Sequence, residues 1–375
     1  MGFYFNDYDK DKKQHLNLSE SAWCVIEEDI KNFYSGDKEG PLSGFLNRVF
    51  ANFYEEADAS VETRCLAKAS ELNLLFSGKE FKGVDESSKK RMIETIVGAY
   101  RKRLSEKAKS YPKGHGEKFR INIANVDLLR DDVSEEDIYD DIIGDYLKAV
   151  YEEYCTLQTY KREQVFFKET VDEINKAIAD EKQLKITLLP KYDPKAKAYV
   201  NQTFFVTPYK VVQDTTQSYN YLIGVSLPER SYDKAKKTVA SIRISRIAKI
   251  RELSSMKGFI SKEKREQIEK ELLLKTPQFM KGDLLYVKVR FTKKGYENYS
   301  RFLYLRPNDC TKVEGEELTY LFRCTELQAI SYFVKFLRDA EILEPLYLRE
   351  KFKDRYRDAY SLYIDEDKDE EKKLS

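Results

Sequence analysis

The chain is poor in the residues that most chemistry needs. Among 375 residues only two are histidines, His15 and His115, and they fit no metal-ligand spacing. The five cysteines (Cys24, Cys65, Cys155, Cys310, Cys324) are scattered and form no C-x-x-C. They read as buried, reduced thiols of a cytoplasmic protein. There is no Gly-rich phosphate loop, no G-x-S-x-G and no H-E-x-x-H. No signal peptide opens the chain, and no apolar run nears the ~18 residues of a membrane span. Asp127–Asp145 holds nine acids and one arginine, but they crowd successive helical faces instead of converging on a metal. The sequence therefore predicts a protein that is no enzyme, uses no cofactor or metal and meets no membrane.

A large net charge is also missing. The whole chain carries +1, which makes one local surplus conspicuous. Residues 182–257 hold 15 Lys and Arg against 5 acids, a surplus of ten. A positive island on a neutral chain implies a polyanion as ligand. Within it, Ser241-Ile-Arg-Ile-Ser-Arg-Ile247 reads as a strand with Arg243 and Ser245 on one face and Ile242 and Ile244 on the other. Aromatics reach 13%, with 27 Tyr and 21 Phe, which excludes a disordered chain and supplies rings for stacking.

Near the start, Lys12–Leu18 alternates. Lys13, His15 and Asn17 take one face, Leu16 and Leu18 the other. Ser19 is placed as an N-cap for a helix to about Tyr34, and Pro41 opens a second through Ala57. Strand, helix and helix in this order resemble the ribbon-helix-helix fold. That resemblance implies an obligate homodimer, in which two copies pair their strands into a ribbon. Lys13, His15 and Asn17 would face nucleic acid, and the Ser43 and Gly44 N–H groups would meet a phosphate. Helices are expected over Val61–Phe76, Ser87–Ser110 and Ser134–Leu157. Gly114–Glu117 is expected as a break before a short strand at Phe119–Ala124, and Tyr160–Asp180 as one further helix.

Strands follow at Leu184–Leu189, Ala198–Phe205, Tyr209–Gln213, Tyr219–Ser226 and Val239–Arg246. The segments Phe205-Val-Thr-Pro-Tyr-Lys210, Tyr219-Asn-Tyr-Leu222 and Ile242–Ile247 resemble the WYL domain in order and spacing. Asn220 stands where that family has its Trp, while Tyr221 and Leu222 match. The resemblance implies a Sm-like β-barrel and a basic pocket built from Tyr221, Arg243 and Arg246, with Tyr209 and Lys210 beside it. Leu284–Phe291, Tyr299–Arg306 and Leu318–Arg323 read as strands of the αβ extension that often follows WYL domains, a dimerisation element. A helix at Glu326–Ala340 and the segment Glu341–Pro345 complete it.

The predicted fold class is thus α+β and multidomain. It has a ribbon-helix-helix over 1–60, a helical extension over 61–160, a WYL domain over 161–257 and a helical linker over 258–283. A C-terminal αβ dimerisation extension follows over 284–363, then an acidic tail over 364–375. A ribbon-helix-helix joined to a WYL domain is similar to the WYL accessory proteins of type VI-D CRISPR loci. That resemblance implies a single-stranded RNA-binding partner of an RNA-guided CRISPR ribonuclease in antiviral defence. The alternative is a ligand-sensing, DNA-binding transcriptional regulator.

Overall fold

The computed structural model describes residues 8–33, 42–57, 83, 85–125, 136–193, 197–214, 218–228 and 238–374. The chain divides into two compact units, Met1–Lys168 and Glu169–Ser375. The expected helix at Val61–Phe76 lies outside the described residues.

The N-terminal unit is built on a two-stranded ribbon. Strand β1 (Tyr8–Ser19) leads into helices α1 (Glu20–Phe33) and α2 (Leu42–Phe53). Helix α3 (Glu86–Ser110), strand β2 (Gly114–Asn122) and helices α4 (Glu136–Thr156) and α5 (Thr159–Phe166) follow. Ser19 caps α1 as expected, its Oγ accepting the Ala22 N–H at 3.2 Å. Leu16, Leu18, Phe119 and Ile121 point from the ribbon into a core with Trp23 and Ile26 of α1, Phe45 and Phe50 of α2, and Tyr151 and Tyr154 of α4. Each such burial contributes about 1.5–3 kcal/mol. Inside this core Arg162 grips Asp29 with two bonds, at 2.7 and 3.2 Å, and Tyr154 donates to the same carboxylate at 2.9 Å.

Three expectations are corrected. The strand was expected to pair with its equivalent in a second copy, but its partner is β2 of the same chain, antiparallel, with Lys13 opposite Arg120 and Ser19 opposite Gly114. The backbone groups of β1 are satisfied internally, so the ribbon itself does not require a dimer. The expected break at Gly114–Glu117 is the start of β2. Gly114 is required there, because a Cβ would stand 1.9 Å from the Leu18 carbonyl oxygen. The Tyr160–Asp180 helix is also two, broken at Phe167, where φ is −105° and ψ 27°.

The C-terminal unit opens with α6 (Lys168–Ala179) and a five-stranded antiparallel sheet. Its strands are β3 (Lys182–Leu188), β6 (Thr203–Gln213), β7 (Asn220–Pro228), β8 (Thr238–Arg243) and β9 (Ile247–Lys257), in the order β8-β7-β6-β3-β9. Strands β4 (Lys191–Asp193) and β5 (Ala198–Val200) form a separate hairpin. One face of the sheet buries Leu184, Ile186, Val206, Leu222 and Ile242. The other packs Tyr209, Tyr221, Ile223, Val225 and Val239 against Ile268 and Leu272 of α7 (Lys262–Lys275).

The expected barrel is not closed. Closure needs a ladder between the two edge strands. Here β8 and β9 are joined by a 3₁₀ turn, Ile244–Arg246, and no ladder links them among the described residues. That turn buries Ile244 and Ser245 in the core, which ends β8 at Arg243.

A second sheet, order β11-β12-β10-β13, comprises β10 (Leu284–Phe291), β11 (Asp309–Lys312), β12 (Thr319–Thr325) and β13 (Ala340–Glu344). Helices α8 (Lys293–Arg301), α9 (Glu326–Phe333) and α10 (Leu346–Leu374) accompany it. The expected strand at Tyr299–Arg306 is instead the end of α8 and a loop. Helix α10 runs on through the acidic segment that was expected as a tail.

Candidate nucleic-acid interface

Tyr221 and Arg243 are direct partners across the β7–β8 ladder, so both side chains leave the same face. The Arg243 guanidinium lies over the Tyr219 ring, 3.2 Å from its centroid, and its Nε donates to Ser245 Oγ at 2.6 Å. This is an arginine held flat, with its rotamer fixed before any ligand arrives. Tyr221 and Arg243 line a cleft of about 870 Å³ whose walls include β8, one face of α7 and the turn after it. Six cations line it (Lys191, Arg243, Arg246, Lys264, Lys275, Lys281) against two acids, Glu271 and Asp283. One of those acids is engaged, since Glu271 pairs with Lys275 at 3.1 Å.

Arg246 reaches the same cleft because the 3₁₀ turn cancels the alternation that would place it on the opposite face. Its Nη2 donates to the Leu189 carbonyl at 3.2 Å, and the Leu189 N–H donates to the Arg246 carbonyl at 2.9 Å. It therefore clamps the segment that leads into the β4–β5 hairpin.

Tyr209 and Lys210 are not brought into the cleft. The Tyr209 hydroxyl donates to Glu269 Oε1 at 2.7 Å and Lys210 Nζ reaches Glu269 Oε2 at 2.8 Å, which ties β6 to α7. Lys210 holds the Glu269 carboxyl below its usual range, and the bond to Glu269 raises the Tyr209 phenol. Asn220 is fully buried.

The wall formed by the turn is strained. Pro277 stops α7, and Thr276 before it adopts φ 59°, ψ 158°. That region is foreign to a β-branched residue and costs on the order of 1–3 kcal/mol. The turn is tied to β8 by Ser241 Oγ, which donates to the Pro277 carbonyl at 2.5 Å. Gln278 follows and lines the cleft.

In the N-terminal unit, Lys13, His15 and Asn17 do share the ribbon's solvent face. Their cross-strand partners are Arg120, Lys118 and Gly116. Gly116 leaves room for the His15 ring, because a Cβ there would stand 2.1 Å from His15 Cε1. The Ser43 Oγ accepts the Arg120 N–H at 3.1 Å, and Gly44 is buried. Asn47 completes the clamp on β2, donating to the Arg120 carbonyl at 2.8 Å and accepting the Asn122 N–H at 2.8 Å.

Sequence reasoning missed Tyr219, Lys118, Arg120 and Gln278. Tyr219 and Arg120 stood in segments read as strands, Lys118 stood between the expected break and strand, and only pairing shows what they face.

No protein-family model matches the chain, and no curated protein matches it. Among solved structures, one described as a CRISPR Cas-related protein is similar over 95% of both chains, at 26% identity and a TM-score of 0.65. Proteasome accessory factor B/C (PafBC) of Arthrobacter aurescens aligns over 69% of this chain and 34% of its own, at 14% identity and a TM-score of 0.25, too low to bear on the fold. No helix among the described residues is long and apolar enough to cross a membrane.

Proposed function

We propose that this protein binds single-stranded RNA in the Tyr221–Arg243 cleft and acts as an accessory to an RNA-guided CRISPR ribonuclease, enhancing its cleavage without chemistry of its own. The observation that carries the reading is Arg243, laid on Tyr219 and opposite Tyr221 in a cleft where cations outnumber acids six to two. An unstacked base fits a Tyr–Arg surface, and its phosphates fit the lysines around it. The similarity to a CRISPR Cas-related protein across nearly the whole chain supports the setting. The segments Phe205–Lys210, Tyr219–Leu222 and Ile242–Ile247 support a WYL assignment for the first sheet, and β2 takes the place that a second copy's strand holds in a ribbon-helix-helix fold.

The test is a titration of the full chain with matched single-stranded RNA, single-stranded DNA and duplex DNA across a salt series. Single-stranded RNA is expected to bind tightest, with affinity falling as salt rises, because binding releases roughly 0.7 counterion per neutralised phosphate. Arg243→Ala is expected to lose about 1.5–3 kcal/mol and to abolish the enhancement of target cleavage. Affinity that is flat with salt, or unchanged in Arg243→Ala, overturns the reading. A homodimer belongs to this reading through the C-terminal αβ unit, and light scattering should then give twice 44.1 kDa.

One observation favours the DNA-binding regulator as a second reading. Lys13 opposes Arg120 on the ribbon's open face, with Lys118 two residues away on the same strand face. Like charges set opposite one another cost stability unless a polyanion offsets them. Duplex DNA winning the titration would select that reading.

A further inference from the structure

Gln278 is a neutral polar side chain in the cleft wall, one that phosphate chemistry leaves unused. Its carboxamide Nε2 is buried and has no hydrogen-bond partner among the described residues. The side chain lines the cleft that holds Tyr221 and Arg243. Its position is built in: Thr276 at φ 59° turns the chain, and the Ser241 bond fixes Pro277 to β8 two residues before Arg243. A donor left buried and unpartnered in the strained wall of a cleft is the pattern of a group kept for a ligand. A neutral carboxamide differs from the lysines around it. It adds nothing to the attraction for phosphate, but it presents a donor and an acceptor side by side, the complement of a base edge.

We propose that Gln278 reads the base that enters the cleft, and that adenine, whose N6 and N7 a carboxamide matches with two hydrogen bonds, is the base it favours. This rests on the cleft being the single-strand site. Arg243 with its tyrosines then supplies affinity, and Gln278 supplies selectivity.

Full-length protein should be titrated with three strands of equal length: oligoadenylate, oligouridylate and an abasic ribose-phosphate chain. The variants are Gln278→Met, which keeps the volume and removes both hydrogen-bonding groups, and Arg243→Ala. Wild-type protein should bind oligoadenylate best. Gln278→Met should weaken oligoadenylate by roughly five- to a hundredfold and leave the abasic chain unchanged, so that the ranking flattens. Equal weakening on all three strands makes Gln278 a backbone contact and overturns the inference. So does wild-type affinity of Gln278→Met for every strand while Arg243→Ala loses all of them. Full affinity of Arg243→Ala for all three strands overturns instead the cleft reading on which this one rests. Unchanged circular dichroism of Gln278→Met shows that the turn has kept its fold.

Discussion

Lys13 faces Arg120 across the β1–β2 ladder as Tyr221 faces Arg243 across β7–β8. In the first pair both cations stand exposed on an open two-stranded face. In the second the arginine is half-buried, stacked on Tyr219, and part of a cleft of about 870 Å³. The same local geometry, two residues opposed on an antiparallel ladder, thus yields two different surfaces. An open cationic face recognises charge and groove shape, and it is screened by salt. A cleft with a fixed guanidinium and a ring admits one unstacked base at a time. The difference lies in what covers the sheet. Helix α7 and its strained turn stand over the β7–β8 face, whereas the ribbon turns its second face to solvent.

The largest expected effect separates the two surfaces by removing one of them. Arg162 and Asp29 are 8% and 0% exposed, and their pair lies in the core beneath the ribbon. Arg162→Met leaves a buried carboxylate without its partner, which costs about 3–5 kcal/mol. Calorimetry should show the N-terminal unit melting early, and the cleft of the C-terminal unit should keep its affinity for single-stranded RNA. Pairing the change with Asp29→Leu should recover much of the loss, because a well-packed apolar pair replaces a buried ion pair at little cost. RNA binding lost in step with the N-terminal melt breaks the comparison, since the cleft would then depend on the other unit.

Next in size is the ring. Tyr221→Ala should cost about 1–3 kcal/mol on single-stranded RNA, the worth of one stacked base, while Tyr221→Phe keeps most of the affinity. An equal loss in both variants, measured by fluorescence anisotropy, assigns the effect to the hydroxyl and removes the stacking role.

How far the sequence could be read divides along the same line. Period-two alternation placed Lys13, His15 and Asn17 against Leu16 and Leu18 correctly, because a half-buried strand must alternate. It did not reveal that the partner strand lies nearly a hundred residues downstream, since pairing is a long-range choice that no local pattern encodes. Glycines 114 and 116 read as a break, and their use is room: for the Leu18 carbonyl at Gly114 and for the His15 ring at Gly116. In the other unit, Ile242-Arg-Ile-Ser245 alternates like a strand. The structure breaks it at Arg243, because Ile244 and Ser245 fill the core from a 3₁₀ turn. Alternation alone therefore set Arg243 and Arg246 on opposite faces, and only the turn unites them. Tyr209 and Lys210 were chosen for their type. Their partner Glu269 belongs to a helix that the strand pattern said nothing about.

A smaller effect sharpens the contrast in ligand. Lys118→Ala with Arg120→Ala should make the log-affinity slope for duplex DNA shallower by about 0.9 for each phosphate contact removed. The slope for single-stranded RNA should not move. A change in both slopes by the same amount would merge the two surfaces into one binding path.

The smallest effect concerns the anchor of the ribbon. His115 stacks on Trp23 with ring centroids 5.5 Å apart, its Nδ1 lies 2.9 Å from Glu20 Oε1, and its carbonyl accepts the Trp23 indole N–H at 2.9 Å. The bond to Glu20 raises the imidazole above its ordinary value of 6.5, with the charges of Glu20, Glu117 and Glu27 adding to it. A group whose pKa is raised by folding stabilises the folded state below its unfolded pKa. That contribution is lost as pH climbs through the folded value. The clasp between β2 and α1 should therefore be complete in mildly acidic buffer and loosen toward neutral and basic pH. The histidine is half exposed, so the change in global stability is small, and the site is better followed by its own titration in an NMR spectrum. Glu20→Gln removes the principal cause and should bring that titration down toward the ordinary histidine value. The cleft, which holds no histidine, should bind RNA with the same affinity across the transition. A midpoint that stays raised in Glu20→Gln would assign the shift to Glu117 and Glu27 and leave the clasp without a pH dependence of its own.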